Sequence, residues 1–162
     1  MGYRKPRVYK IRIGPGTFAG FSRQETLDVV REAFAEISKF ANVDFPESKR
    51  PRFTINFYNN AQMRKLAKGK WTALGLQFRR FLAINSERKI KRFQAVAVVK
   101  HEALHWLGMK HSDARDATMH PTRSNEFMNA YERAWIQRRY GKRHREFWHT
   151  FPDGYKALMR EV

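Results

Sequence analysis

Residues 101–111 constrain this chain more than any other part of its sequence. His101 and His105 are four residues apart, so on a helix their rings lie on one face and can hold a single metal ion. Gly108 permits a sharp turn after the helix, and that turn can bring His111 round as a third ligand. Three imidazoles leave one corner of a tetrahedral zinc ion open to water, which is typical of a catalytic site, although imidazole also suits copper, nickel and iron.

Glu102 stands beside the first histidine, near the face where a metal-bound water would lie. A metal ion lowers the pKa of such a water towards about 7, and a carboxylate can take its proton during attack on a substrate. Ser112 follows the third histidine, and Met119 comes eight residues after that histidine, shortly before Pro121. The string H-E-x-x-H-x-x-G-x-x-H followed by such a methionine resembles the signature of the metzincin clan of metalloproteases, and the added serine is similar to its matrixin branch.

The resemblance to matrixins implies a role for each of these residues. His101, His105 and His111 would be the zinc ligands. Glu102 would be the general base and proton shuttle, and Met119 would lie in a Met-turn beneath the metal-binding rings. The protein would be a zinc metalloendopeptidase. Its fold would be α+β, with a twisted mixed sheet, an antiparallel edge strand, two long helices behind the sheet and a C-terminal helix after the Met-turn.

The resemblance also implies where a protein or peptide substrate would bind. The substrate would lie extended along the edge strand, and residues 118–121 would form the wall of the specificity pocket. The family's usual tyrosine after the methionine is replaced here by His120. The residues expected to contact substrate are therefore Leu74, Gly75, Leu76, Thr118, His120 and Pro121.

Matrixins commonly carry a structural zinc ion and calcium ions between their third and fourth strands. Here residues 59–70, which would form that loop, contain no Asp, Glu or His. The segment lacks the carboxylates that calcium prefers and the imidazoles of a histidine-rich zinc site. We therefore predict one catalytic zinc ion and no structural calcium.

Hydropathy and turn residues predict the remaining elements. Strands are predicted over residues 7–13, 43–45, 53–58, 71–78 and 81–85, with a basic connector over residues 59–70. Ser22 and Glu25 predict a capping box for a helix that continues to Phe40. A second helix is predicted over about residues 91–107, ending at Gly108, and a third follows a Ser124 cap and ends at Gly141.

These elements predict one metzincin-like catalytic domain over residues 1–141. Residues 142–162 are expected to form a basic extension with several aromatic side chains, packed on the same domain. The chain contains no cysteine, which excludes a disulfide-stapled fold and a thiolate metal site. The sequence has no signal-like apolar run and none long enough to span a membrane. We therefore expect a cytoplasmic protein without membrane insertion. A virus-encoded protease would also fit this pattern.

Charge is the other strong feature of the sequence. Lys and Arg number 33 against 15 Asp and Glu, a net charge of +18, which predicts an acidic partner. That partner could be an acidic protein or peptide substrate. The alternative function is a basic nucleic-acid-associated protein whose zinc site is structural or vestigial, binding phosphates without sequence preference. A protease that acts on nucleic-acid-bound proteins would combine the two.

Overall fold

The computed structural model describes residues 5–69, 73–122 and 124–143. Their elements follow in the order β1 (Arg7–Val8), β2 (Ile11–Ile13), α1 (Arg23–Phe40), β3 (Val43–Asp44), β4 (Phe53–Tyr58), α2 (Asn60–Leu66), β5 (Gly75–Gln77), β6 (Phe81–Asn85), α3 (Arg92–Trp106) and α4 (Ala130–Tyr140). The architecture is mixed α and β, as the resemblance implied.

The main sheet has four strands in the order β2-β4-β6-β5. The first three are parallel, and β5 pairs antiparallel with β6, so that Gly75 lies opposite Ile84 and Leu76 opposite Ala83. A parallel pair of β1 and β3 forms a second, smaller sheet. The predicted mixed sheet with an antiparallel edge strand is therefore confirmed.

Two long helices pack together against this sheet. In α1, the Ser22 hydroxyl and the Glu25 carboxylate form the predicted capping box. In α3, residues 95–104 are all buried, because the helix is apolar on nearly every side and lies between the sheet and its neighbours. The shared core contains Val30, Phe34 and Ile37 of α1, Ile55 of β4, Leu82 and Ile84 of β6, and Val99 and Leu104 of α3.

Several predicted boundaries are wrong. The strand predicted over residues 7–13 is two strands that join different sheets, because the chain steps from β3 to β4 between them. The predicted edge strand is shorter and covers Gly75–Gln77 among the described residues. The basic connector over residues 59–70 contains the helix α2, which Asn59 and Gln62 cap and which buries Met63 fully.

The C-terminal helix begins later than the sequence suggested. Asn129, not Ser124, caps α4, and the Asn129 side chain accepts a hydrogen bond from the Glu132 backbone N–H. Gly141 ends the helix as predicted, with a φ of +87° that favours glycine. No helix in the described part of the chain is long and apolar enough to cross a membrane.

The first residues after α4 pack on the domain. Lys142 forms a β-bridge with Ala41. The Arg143 guanidinium donates to the carbonyl oxygens of Ser38 at 2.8 Å and Val43 at 2.9 Å. The rest of the predicted extension, residues 144–162, lies outside the described residues, and the domain boundary at residue 141 stays a prediction.

A buried ion pair joins the two long helices to the segment that precedes α4. Lys100 on α3 is 1% exposed and pairs with Glu36 of α1, which is 6% exposed. The Lys100 ammonium also donates to the Glu126 carbonyl, and the Met128 N–H donates to the Glu36 carboxylate at 3.0 Å. This single pair therefore fixes residues 126–128, which have no regular structure of their own.

Replacing Lys100 alone should destabilise the fold strongly. In Lys100→Met the Glu36 carboxylate stays buried without a counter-ion, which costs about 3–5 kcal/mol of unfolding free energy. The double variant Glu36→Gln/Lys100→Met should be clearly more stable than that single variant, because the amide still accepts the Met128 N–H and no charge is buried. Urea unfolding measures both free energies. Equal destabilisation in the single and double variants would contradict the uncompensated-charge explanation.

Candidate metal centre and cleft

The three histidines of the motif meet at one point. One face of α3 carries His101 and His105, and the turn at Gly108, whose φ is +106°, brings His111 back towards them. His111 Nε2 lies 3.3 Å from His101 Nε2 and 3.0 Å from His105 Nε2. Each ring can thus offer one nitrogen to a shared ion, since the three candidate ligand atoms lie within 4.8 Å of one another.

Backbone carbonyl groups set which nitrogen carries the proton in two of these rings. His101 Nδ1 lies 2.8 Å from the Thr118 carbonyl oxygen, and His105 Nδ1 lies 2.8 Å from that of Met109. A carbonyl oxygen can only accept, so each Nδ1 donates its hydrogen to it. The Nε2 lone pairs are left facing the common point, as a metal ligand requires.

Burial also keeps the imidazoles of His101 and His105 neutral. Desolvation lowers the pKa of His101 to about 4, although the Thr118 carbonyl works in the opposite direction. Desolvation lowers the pKa of His105 as well. Both rings are therefore metal-binding bases at pH 7 rather than imidazolium ions.

The donor set fits a zinc ion. It consists of three imidazoles, and no carboxylate or fourth histidine joins the cluster among residues 5–69, 73–122 and 124–143. Three neutral nitrogen ligands with one open position are the arrangement of catalytic zinc sites. The predicted ligands are thus brought together, and zinc itself stays a prediction.

Glu102 lies beside this cluster and against the edge strand. The side chain is 7% exposed, and desolvation raises its pKa to about 8. A Cβ atom added at Gly75 would lie 2.8 Å from Glu102 Cγ and 3.0 Å from Val98 Cγ1. The Glu102 side chain therefore occupies space that the side chain of any other residue at position 75 would fill.

A carboxylate from α4 holds the turn that contains Met119. Glu132 is 1% exposed and accepts hydrogen bonds from the backbone N–H groups of Thr118 at 2.9 Å and Met119 at 2.8 Å. The Met119 carbonyl accepts from the Ser112 N–H at 3.0 Å. Met119 is fully buried, and its position beneath the imidazoles stays a prediction. The role of Glu132 was missed, although the spacing of Asn129 and Glu132 is a recognisable capping box.

The metal centre opens into a cleft of about 1220 Å³. Its lining includes the predicted Leu74, the predicted Gly75 and Leu76 of the edge strand, and the predicted Pro121. Thr118 and His120 do not line this cleft, and Thr118 is fully buried. The sequence did not single out other lining residues, which are Gln77, Arg88, Phe93, Gln94, Ala97, Val98, Thr122, Ser124, Asn125, Glu126 and Phe127.

Each ligand histidine should be required for zinc binding. The wild-type protein is expected to bind one zinc ion and to gain about 2.7 kcal/mol of stability when free zinc is 100 times its dissociation constant. His101→Ala, His105→Ala and His111→Ala should each lose most of that gain. Metal analysis and thermal unfolding with and without zinc measure the effect.

His120→Ala is the matched control for these variants. His120 Nδ1 accepts a hydrogen bond from the Thr122 N–H at 3.2 Å, and the ring lies outside the ligand cluster. The control should bind one zinc ion and show the full stabilisation. If one of the three ligand variants bound zinc as this control does, the histidine replaced in it would not be a zinc ligand.

Comparison with known proteins agrees with the geometry. The family model described as matrixin matches residues 4–141 of the chain. The solved structure of myroilysin is similar in fold, with a TM-score of 0.57 and 13% sequence identity over 85% of this chain and 81% of that one. Comparison with curated proteins finds no match. The resemblance inferred from the histidine motif and the fold that it implied are therefore confirmed.

Proposed function

The chain belongs to the matrixin family, and we propose that it is a zinc-dependent endopeptidase with Glu102 as its general base. The observation that carries this proposal is the convergence of three imidazoles beside a buried carboxyl group in one open cleft. A zinc ion bound by the three rings supplies Lewis acidity, lowering the pKa of a water ligand and polarising a carbonyl group.

Glu102 moves the proton in this reaction. In its carboxylate form, which a cation held by the three histidines would favour, Glu102 takes a proton from the attacking water. Burial raises the pKa of this carboxyl group to about 8 when no ion is bound, and a cation held by the histidines would lower it again. The acid then gives the proton to the leaving amine, and the carboxylate is restored for the next cycle.

The edge strand is the proposed binding site for the peptide backbone. β5 pairs with β6 on one side only, and no strand in the described ranges covers its other side. Extended peptides add to such edges through main-chain hydrogen bonds, while side-chain pockets supply selectivity. A substrate strand there would pass directly in front of Gly75 and Glu102.

Glu102→Gln should abolish hydrolysis and leave zinc bound. The amide has nearly the shape of the carboxyl group but accepts no proton, so kcat should fall by at least about 10²–10⁴-fold. Cleavage of a quenched fluorescent peptide library by zinc-loaded protein measures the rate, and metal analysis measures the zinc. A variant that cleaves as fast as the wild type would exclude Glu102 as the base.

Acidic peptides are the proposed substrate class. Arg88 lines the cleft, and the exposed Arg79 and Arg80 form the turn between β5 and β6. The Trp106 indole N–H donates to the Arg79 carbonyl at 2.9 Å, which holds this turn beside the end of α3. A peptide along β5 would therefore have cations near both of its ends.

Acidic residues flanking the scissile bond should raise kcat/KM relative to a matched lysine-containing peptide. The advantage should shrink between 0.1 M and 1 M salt, as the Debye length falls from about 10 Å to about 3 Å. Arg88→Gln should reduce the kcat/KM advantage of the acidic peptide. Lys49→Gln should leave that advantage unchanged, because Lys49 is exposed and does not line the cleft. A salt-independent preference would argue against charge recognition.

Binding to nucleic acid is the second candidate function. Residues 144–162 contain three basic and three acidic residues, so the excess positive charge of +18 belongs to the rest of the chain. A purely nucleic-acid-associated role predicts binding to labelled DNA that weakens steeply between 50 and 200 mM salt, without peptide cleavage. Both activities in one preparation would favour a protease that acts on nucleic-acid-bound proteins.

A further inference from the structure

Ser124 contacts a candidate metal ligand instead of capping a helix. Its Oγ atom lies 2.9 Å from His101 Nδ1 and also donates to the His120 carbonyl oxygen at 3.2 Å. The residue lines the cleft as well. One hydroxyl group therefore joins the cleft wall, the turn around Met119 and the first histidine of the motif.

The direction of these hydrogen bonds follows from their partners. The His120 carbonyl can only accept, so the Ser124 hydroxyl gives its single hydrogen to that oxygen. The hydroxyl lone pairs then face His101 Nδ1, whose hydrogen is shared between Ser124 and the Thr118 carbonyl at 2.8 Å. The opposite arrangement would leave the Nδ1 lone pair facing the Thr118 carbonyl oxygen, which is repulsive.

We propose that Ser124 is a positioning residue of the metal centre, which holds the His101 ring so that its Nε2 points at the shared ion. Two acceptors at one ring nitrogen restrain an imidazole more than one carbonyl does. The partners of ligand histidines set ring orientation and ligand basicity in metal sites generally. The inference rests on the proposed zinc site but not on peptide hydrolysis.

Ser124→Ala should weaken zinc binding by about 10- to 100-fold, the usual effect of removing such a partner. The zinc dissociation constant is measured by competition with a chromophoric chelator, without any substrate. Co²⁺-substituted protein provides a second readout, because a turned ring changes the ligand field and therefore shifts the visible absorption bands. Ser124→Thr keeps the hydroxyl group and should restore most of the affinity.

Ser86→Ala is the matched control. Ser86 is a half-buried serine whose hydroxyl donates to the Tyr58 carbonyl at 3.0 Å and touches no ligand ring. The Ser86→Ala variant should bind zinc with the affinity of the wild type. Without metal, its melting temperature should match that of Ser124→Ala. Wild-type zinc affinity and Co²⁺ spectrum in Ser124→Ala would overturn the proposal.

Other outcomes separate this proposal from the proposed function. If Ser124→Thr binds zinc as weakly as Ser124→Ala and both melt lower without metal, the residue is merely structural and the proposal is overturned. A wild-type protein that binds no zinc also overturns it. A wild-type protein that binds zinc but cleaves no peptide ends the endopeptidase hypothesis alone, and the affinities still decide the role of Ser124.

Discussion

An imidazole ring is fixed as a metal ligand when a hydrogen-bond acceptor beside one nitrogen holds the proton there and leaves the lone pair on the other nitrogen. The chain meets this condition with backbone carbonyl groups of Thr118 and Met109, each 2.8 Å from an Nδ1 atom. Backbone oxygen cannot be removed by substitution, so the tautomers depend on the path of the main chain. The turn at Gly108 and the turn around Met119 therefore decide whether the histidine cluster can work as a metal site.

Buried charges hold the turn around Met119 and the segment before α4 in place. Glu132 accepts hydrogen bonds from two N–H groups of the turn around Met119, and the pair of Glu36 and Lys100 fixes the segment before α4. Neither segment has regular structure that would order it locally. Burying a charged group costs free energy unless the group is fully paired. Both networks therefore favour one arrangement of each segment rather than simply adding stability.

The motif residues and most of the elements could be predicted from the sequence, because both depend on local patterns. Spacing by four placed His101 and His105 on one helix face, and glycine marked the ends of α3 and α4. The contacts that prediction missed are long-range ones. Ser124 looks like a helix cap in the sequence, and only the path of the chain puts its hydroxyl group beside His101. The helix α2 was missed because its basic residues hid the short apolar face around Met63.

Because Gly75 lies close to Glu102, the edge strand β5 and the helix α3 cannot be redesigned independently of each other. A side chain at position 75 would collide with Glu102, whose Cγ atom would lie 2.8 Å from the added Cβ atom. Substitutions that reshape the cleft at this strand must instead fall at Leu74 and Leu76 on either side. Position 75 on β5 and position 102 on α3 are therefore coupled, and a change at one must be accommodated at the other.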